Sequence, residues 1–419
     1  MATGYLEILR VRHAARLLAG TLVGRLPNGT AAIAIVLFVR AEGGSYSLAG
    51  ALAAVYGVAN AIGQPVLGRL VDLRGQPRVQ LPAAVLSALA MAVFAFTGID
   101  PRAAAYAAVA AAGLFTPPLE GGLRALWSSV LHREDQVHRA YAMDAVAQEV
   151  MFTVGPLLVT VCVSVWSPQV ALLVVNGLGV LGALSVVVSA PSRAWRSAPR
   201  EAHWLGALRS PGLLALLGAF LFVGIALGSI TVASVPYGDE HGGAHVYGWL
   251  MAGLGLGALV GGMAYGARQW AGEPARRLRG LVAFLAVCYL PLTLMPGPVA
   301  MTLLAVVAGV FLAPAIACAF VLVDRHAPAG TVTEAFSWLV TTFTVGASVG
   351  TGLAGPVVEA GGARGGFAIP AVAGGVALLV LTCTKRVLVV TAGGTVVAAG
   401  SENDPNRALE PRLGSGDRA

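Results

Sequence analysis

The chain has 419 residues, 57% of them hydrophobic and 11% charged, with a mean hydropathy of +0.78. A soluble domain carries about 25% charged residues. This chain cannot cover itself with a polar surface, which excludes a water-soluble globule and leaves an integral membrane protein. The formal charge of +7 does not point to nucleic acid, because the basic residues sit in short turns between apolar runs.

Taken from the N-terminus, the apolar runs predict twelve spans, at 14–39, 47–68, 79–98, 103–131, 139–165, 168–190, 210–235, 246–269, 279–296, 298–323, 332–358 and 364–384. Most reach the roughly 20 residues that cross a bilayer as a helix. A barrel strand would need only about ten alternating residues. The expected fold is therefore all-α, with twelve transmembrane helices in two pseudo-symmetric six-helix bundles. The first run follows a charged leader, is longer than a signal segment and is expected to stay in the protein.

Seventeen of the 27 Lys and Arg lie at the N-terminus (Arg10, Arg12, Arg16) or in every second turn: Arg69, Arg74, Arg78, Arg133, Arg139, Arg193, Arg196, Arg200, Arg209, Arg268, Arg276, Arg277, Arg279 and Arg325. The turns between hold Arg40, Arg102 and Arg364. By the positive-inside rule both termini are cytoplasmic, in the plasma membrane, and the number of crossings is even.

The longest internal polar connection, 191–209, separates a bundle at 1–190 from one at 210–386, and 387–419 is expected to be a flexible or surface-lying cytoplasmic tail. The halves echo each other. Gly50, Gly57, Gly63 and Gly68 recur 198 residues on as Gly248, Gly255, Gly261 and Gly266. Arg139-Ala140-Tyr141-Ala142 likewise recurs 195 on as Glu334-Ala335-Phe336-Ser337. Internal repeats of this kind underlie alternating access in many transporters.

The turn between spans 2 and 3 reads Gly68-Arg69-Leu70-Val71-Asp72-Leu73-Arg74-Gly75-Gln76-Pro77-Arg78. Gly68 permits a close helix approach, and Gly75 a turn conformation that a side chain resists. Asp72 is an acid among Arg, placed to pair with them or to sit at the positive N-terminus of another helix. The pattern G-x-x-x-D-x-x-G-x-x-R, ending at Arg78, resembles the signature loop between helices 2 and 3 of the major facilitator superfamily. It carries Leu73 where the family often has Arg, and Gln76 and Pro77 where it has basic residues. The resemblance implies a loop that braces the two halves while the outside-facing state is closed to the cytoplasm.

Ionisable groups at membrane depth are costly and are candidates for function. At about 1.5 Å per residue, Arg25 lies about 13 Å from the cytoplasmic end of span 1, with Asn28 a turn deeper. Glu120 lies about 16 Å into span 4, with Arg124 a turn shallower, and Gln148 and Glu149 lie about 13–15 Å into span 5, with Asp144 shallower. Glu120 and Arg124 share a helix face, as do Asp144 and Gln148, whereas Glu149 points about 100° away from Gln148. Pairing Arg25 and Arg124 with Glu120 and Glu149 makes the layer neutral and leaves Asp144 to a turn residue such as Arg74 or Arg78. Structural ion pairing is the plainer role; a proton carried by Glu120 or Glu149 is the functional one.

The second half offers Tyr237, Trp249, Tyr265, Trp338, Thr341 and Thr342, which suggests a cavity ionic on one side and aromatic on the other, although aromatics also serve ordinary packing. Asp239, Glu240, His241 and His245 are expected in a short outer loop with no metal role. Four isolated Cys show no ligand spacing. Gly155-Pro156 in span 5 resembles the Gly-Pro pair of the superfamily's antiporter motif, with Met151 and Thr160 where that motif has Gly, and Pro156 is expected to kink its helix.

With no phosphate-binding loop and no soluble domain to hold ATP, the resemblance implies a secondary transporter and not an enzyme. It would be a monomer without cofactor, moving a small organic molecule outward in exchange for protons. Uptake is the alternative direction. A lipid-modifying membrane enzyme lacks its nucleophile, base or metal cluster here, and a receptor would carry a larger extramembrane region. The Ala-, Gly- and Arg-rich composition with a single Lys suggests a GC-rich bacterial source.

Overall fold

The structure, a computed structural model, describes residues 7–388 apart from 132, 200–202, 243, 269 and 271. Ten of its helices are long and apolar enough to cross a membrane; breaks inside two runs account for the twelve spans. Span 4 is two helices, Arg102–Leu114 and Leu119–Val130, each too short to cross alone. Pro117 and Pro118 separate them, because proline lacks an N–H and drives the residue before it out of the helical region. Conversely, Val332–Cys383 runs for 52 residues. At 1.5 Å each that is about 78 Å, enough for two crossings. Gly362, at φ 65 and ψ −169, turns the chain between spans 11 and 12.

The other spans are Ala14–Gly24 with Leu26–Ala41, Tyr46–Arg74, Gln76–Thr97, Glu134–Val165, Pro168–Val187, Pro211–His241, Ala244–Ala267, Pro274–Tyr289 and Pro298–His326. Several outrun their apolar cores. Span 7 continues to His241, so Asp239 and Glu240 are helical instead of forming the expected loop. Span 5 stays helical through Pro156. Gly155 is buried there, and an ideal Cβ on it would lie 2.7 Å from Thr30 of span 1. The connection after span 6 contains a helical turn at Ala190–Ala194 and a 3-10 turn at Gly206–Arg209. The tail expected from 387 lies, from residue 389 on, outside the described residues.

The internal repeat reappears as matching contacts. Within the first half span 2 packs on span 4, and within the second span 8 packs on span 10. An ideal Cβ on Gly63 would lie 2.1 Å from the Leu114 carbonyl oxygen, and one on its repeat partner Gly261 1.9 Å from that of Val310. Only glycine fits at these two crossings. Gly50, Gly57, Gly248 and Gly255 instead face open space, so that part of the repeat has no packing role. Between the halves span 2 meets span 11, and its repeat partner span 8 meets span 5. Exposed Leu, Val and Phe such as Leu89, Phe96, Leu181, Phe284 and Leu379 cover the outside, as a lipid-solvated surface requires.

Candidate functional site

Two helix breaks bring opposite charges together. Arg25 stands between the two helices of span 1, C-cap of Ala14–Gly24 and N-cap of Leu26–Ala41 at once, so the two helix ends offset each other and its carboxylate partners hold its charge. Glu120 lies in the first turn of Leu119–Val130, where an anion is favoured. Arg25 Nη2 meets Glu120 Oε1 at 2.8 Å, and Arg25 Nη1 meets Asp144 Oδ1 at 3.0 Å. Arg124 Nε meets Asp144 Oδ2 at 2.7 Å, and its Nη2 lies 3.6 Å from Glu120 Oε2. Gln148 Oε1 accepts from Arg25 Nη2 at 3.0 Å and from Arg124 Nη2 at 3.4 Å. All four charged side chains are buried, Arg124 and Asp144 completely. Two guanidinium groups and two carboxylates cancel, which is the condition for keeping such groups out of water.

This differs from the pairing expected from spacing. Asp144, not Glu149, is the second carboxylate, and it bridges both Arg instead of reaching Arg74 or Arg78. Glu149 is about 140° round the helix from Asp144, half-buried and outside the set that meets Arg25 and Arg124. Asn28 also has another partner: its Oδ1 accepts from Asn60 Nδ2 of span 2 at 2.7 Å.

Asn60 belongs to a polar row that a search for charges misses. Gln64 Nε2 donates to Asn60 Oδ1 at 3.2 Å and to the Thr116 carbonyl at 3.0 Å, and Tyr56 shares a hydrogen bond with Thr116 Oγ1 at 3.0 Å. The row thus satisfies groups freed by the break in span 4. The spacing Tyr56, Asn60, Gln64 is itself a signal, since it puts three polar groups on one face of an apolar helix.

The row and the ion cluster form one side of a cavity of about 200 Å³, reached by Asn28, Tyr56, Asn60, Gln64, Glu120 and Gln148. The opposite wall is apolar and comes from spans 7, 10 and 11, chiefly Phe220, Ile316, Phe320, Leu339 and Phe343, with Thr341. The aromatic residues singled out in the second half are elsewhere. Trp249 is exposed, Tyr237 stacks on His241 at 4.2 Å, and Tyr265 stacks on Trp270. Trp338 lines a separate groove.

Phe320 links the two walls. The Arg124 guanidinium carbon lies 3.7 Å from the centre of its ring and 5.8 Å from that of Phe336, while Tyr141 packs edge-on against Phe320. Among the described residues Arg124 Nη1 has no hydrogen-bond acceptor, so these ring faces, which carry negative charge, complete its surroundings.

Toward the end of the bundle that carries Arg69, Arg74 and Arg133, the halves are in contact. Asp72, 7% exposed, accepts from the N–H of Thr333 at 3.1 Å and of Glu334 at 2.8 Å. Of the two roles open to it, the structure selects the N-terminus of span 11 over the neighbouring Arg. An ideal Cβ on Gly68 would lie 2.6 Å from Ser337 Oγ, so this glycine allows the approach. Gly75, at φ 85, makes the turn, and Arg78 is exposed beyond it. The connection between the halves straps the same place. Arg69 donates to the carbonyls of Trp204 at 2.7 Å and His203 at 3.2 Å, and Glu334 Oε1 accepts from Ala207 N–H at 3.2 Å. Among the described residues no His, Cys, Asp or Glu cluster could hold a metal ion.

Residues 17–333 match the model of the Major Facilitator Superfamily. No curated protein sequence matches the chain. Solved structures match its fold. They include a bacterial homologue of the iron transporter ferroportin in an outward-facing state, at TM-score 0.71 and 14% identity, covering 89% of this chain and 99% of that one. The E. coli fucose:proton symporter follows at TM-score 0.66 and 16% identity, covering 90% and 98%. The human organic anion transporter MFSD10 matches at TM-score 0.64 and 18% identity, covering 87% and 97%. The chain belongs to the Major Facilitator Superfamily, a family of multi-pass membrane transporters and not of enzymes.

Proposed function

We propose that the protein moves a small organic molecule out of the cell across the plasma membrane, in exchange for protons, by alternating access of the cavity between the halves 1–190 and 210–386. The observation that carries this reading is the neutral buried cluster Arg25–Glu120–Arg124–Asp144 at the cavity wall. Glu120 alone among the four lines the cavity, so a proton or a substrate group arriving there must compete with Arg25. Such competition couples the two loads, because one carboxylate cannot serve both at once. The lining suits a substrate with an apolar, ring-bearing body against Phe220, Phe320 and Phe343 and a polar head toward Glu120 and Gln148.

With the basic end read as cytoplasmic, the Asp72 contact is the closed inner gate and the conformation is outward-facing. The Gly155-Pro156 pair, packed on Thr30, is the feature that favours export over uptake. A thermal-shift screen of the purified protein identifies a ligand; flux of that ligand in proteoliposomes then tests the reading. The expected result is substrate movement against a counterflow of protons, abolished in Glu120→Gln and in Asp144→Asn. Proton flow in the same direction as substrate would establish uptake-type coupling, and substrate flux that moves no protons would reject exchange altogether.

A further inference from the structure

At the basic end, between the start of span 1, the end of span 4 and the first turn of the connection, lies a pocket of about 600 Å³. Its polar lining is Arg12, His13, Ser129 and Arg196, with Val11 and Trp195 beside them and no acidic residue. We propose that this pocket binds the phosphate headgroup of an anionic phospholipid of the leaflet facing the basic end.

Three features of the pocket support an anion. Arg12 is exposed, and among the described residues it meets no carboxylate. Nearby Glu7 turns instead to Arg139, at 3.7 Å. Among the described residues, Arg196 Nη1 donates only to the backbone carbonyls of Arg193 and Trp195, at 2.9 and 2.7 Å, contacts that leave its charge uncompensated. The helix Ala14–Gly24 begins at the pocket, and its N-cap residue His13, in a left-handed conformation at φ 75, makes no side-chain cap. The positive end of that helix therefore adds to the two guanidinium groups.

The surroundings favour a lipid over a soluble phosphate ester. Pro191 and Ala194 line the pocket directly after span 6, and Leu181, Leu184 and Val188 of that span are exposed. Their spacing puts them on one lipid-facing stripe leading to the pocket. Arg16 Nε donates to the Ser185 carbonyl at 3.1 Å and ties the two spans together there. A headgroup at Arg196 would also touch the gate, because Arg196 Nη1 lies 3.5 Å from an ideal Cβ on Gly75 of the signature turn. Ser192 Oγ, one turn before, donates to Gln76 Oε1 at 2.9 Å.

The test is native mass spectrometry of the full-length protein titrated with dioleoyl phosphatidylglycerol, dioleoyl phosphatidylcholine, and glycerol 1-phosphate as competitor. Wild-type protein retains phosphatidylglycerol in preference to phosphatidylcholine. Arg12→Gln/Arg196→Gln lowers that affinity about thirtyfold, as loss of two basic contacts near the headgroup implies. Ser129→Asp, which adds a carboxylate to the same wall without removing an Arg, lowers it as well. Equal retention of the two lipids, or an unchanged phosphatidylglycerol affinity in both variants, would overturn the proposal. Competition by glycerol 1-phosphate at the same strength would overturn the lipid assignment in favour of a soluble phosphate ester.

Discussion

The seam between spans 2 and 11 and the seam between spans 8 and 5 are related by the internal repeat, yet they are closed by different chemistry. In the first, Asp72 accepts two N–H bonds at the start of span 11. The repeat offset of 198 carries Asp72 onto Trp270. Trp270 points back into its own half: its Nε1 donates to the Tyr265 carbonyl at 2.7 Å, its ring stacks on Tyr265, and Arg268 and Arg277 each lie 5.2 Å from it. The helix that an acid at 270 would have capped is span 5, and its first turn already holds Glu134 and Asp135. A third acid there would meet like charge instead of a free dipole. One seam is therefore a charge-on-dipole latch, while the other closes by packing, as where Gly262 faces Val146. In the exchange cycle proposed above, a gate that opens needs an interaction that can be lost as a unit, which the latch supplies, and the packed seam would act as its pivot.

Arg124 is the residue that ties the ion cluster to the second half, since Phe320 belongs to span 10 and Phe336 to span 11. Arg124→Met should therefore have the largest effect. It leaves Asp144 and Glu120 to share Arg25, a buried net negative charge, with an expected destabilisation of about 3–5 kcal/mol. Thermal unfolding in detergent measures it, and an unchanged midpoint would mean that water enters the cluster and compensates the lost guanidinium. Asp72→Asn comes next. It keeps the shape but removes the charge and leaves one acceptor oxygen where Asp72 uses two at the span 11 N-terminus, an effect of about 1.5–3 kcal/mol on the closed state. The measurement is the distance between spin labels on Leu73 and Arg276, both exposed at the basic end in opposite halves, with Cys288 and Cys383, the native cysteines that are not buried, replaced by Ser. A longer-distance population should appear.

Much of this arrangement was legible in the chain. Run length predicts the helices, and charge alternation predicts that Arg69, Arg74 and Arg133 share an end. Position along each span predicts that Arg25, Glu120, Gln148 and Glu149 lie near one level, with Arg124 and Asp144 shallower. The partners were harder to read. Depth puts Glu149 and Asp144 within two turns of each other, but which one meets Arg124 depends on the rotation of span 5, set by packing such as Gly155 on Thr30. The break in span 4 is written in Pro117-Pro118, but the apolar run continues across it and hydropathy reads a single span. The sequence offers Tyr237, Trp249, Tyr265 and Trp338 for an aromatic wall. Phe220, Phe320 and Phe343 carry it, and in an apolar span a Phe facing a cavity reads the same as a Phe facing lipid.

The smallest effect is the one that most sharply separates the two seams. Trp270→Leu removes a ring flanked by two Arg at a partly exposed position, where such contacts contribute about 0.5–1 kcal/mol. Because Trp270 and its partners Tyr265, Arg268 and Arg277 all belong to the second half, that loss should appear as a slightly lower unfolding temperature. The Leu73–Arg276 label distance should stay as in the wild type, in contrast to Asp72→Asn. A label distance that lengthened in Trp270→Leu as far as in Asp72→Asn would show that the turn between spans 8 and 9 is a second latch, and the division into gate and pivot would fail. An unchanged distance with Asp72→Asn already shifted would leave span 11 as the element whose release opens the basic end, since the repeat then preserves the fold at both seams but the latch at only one.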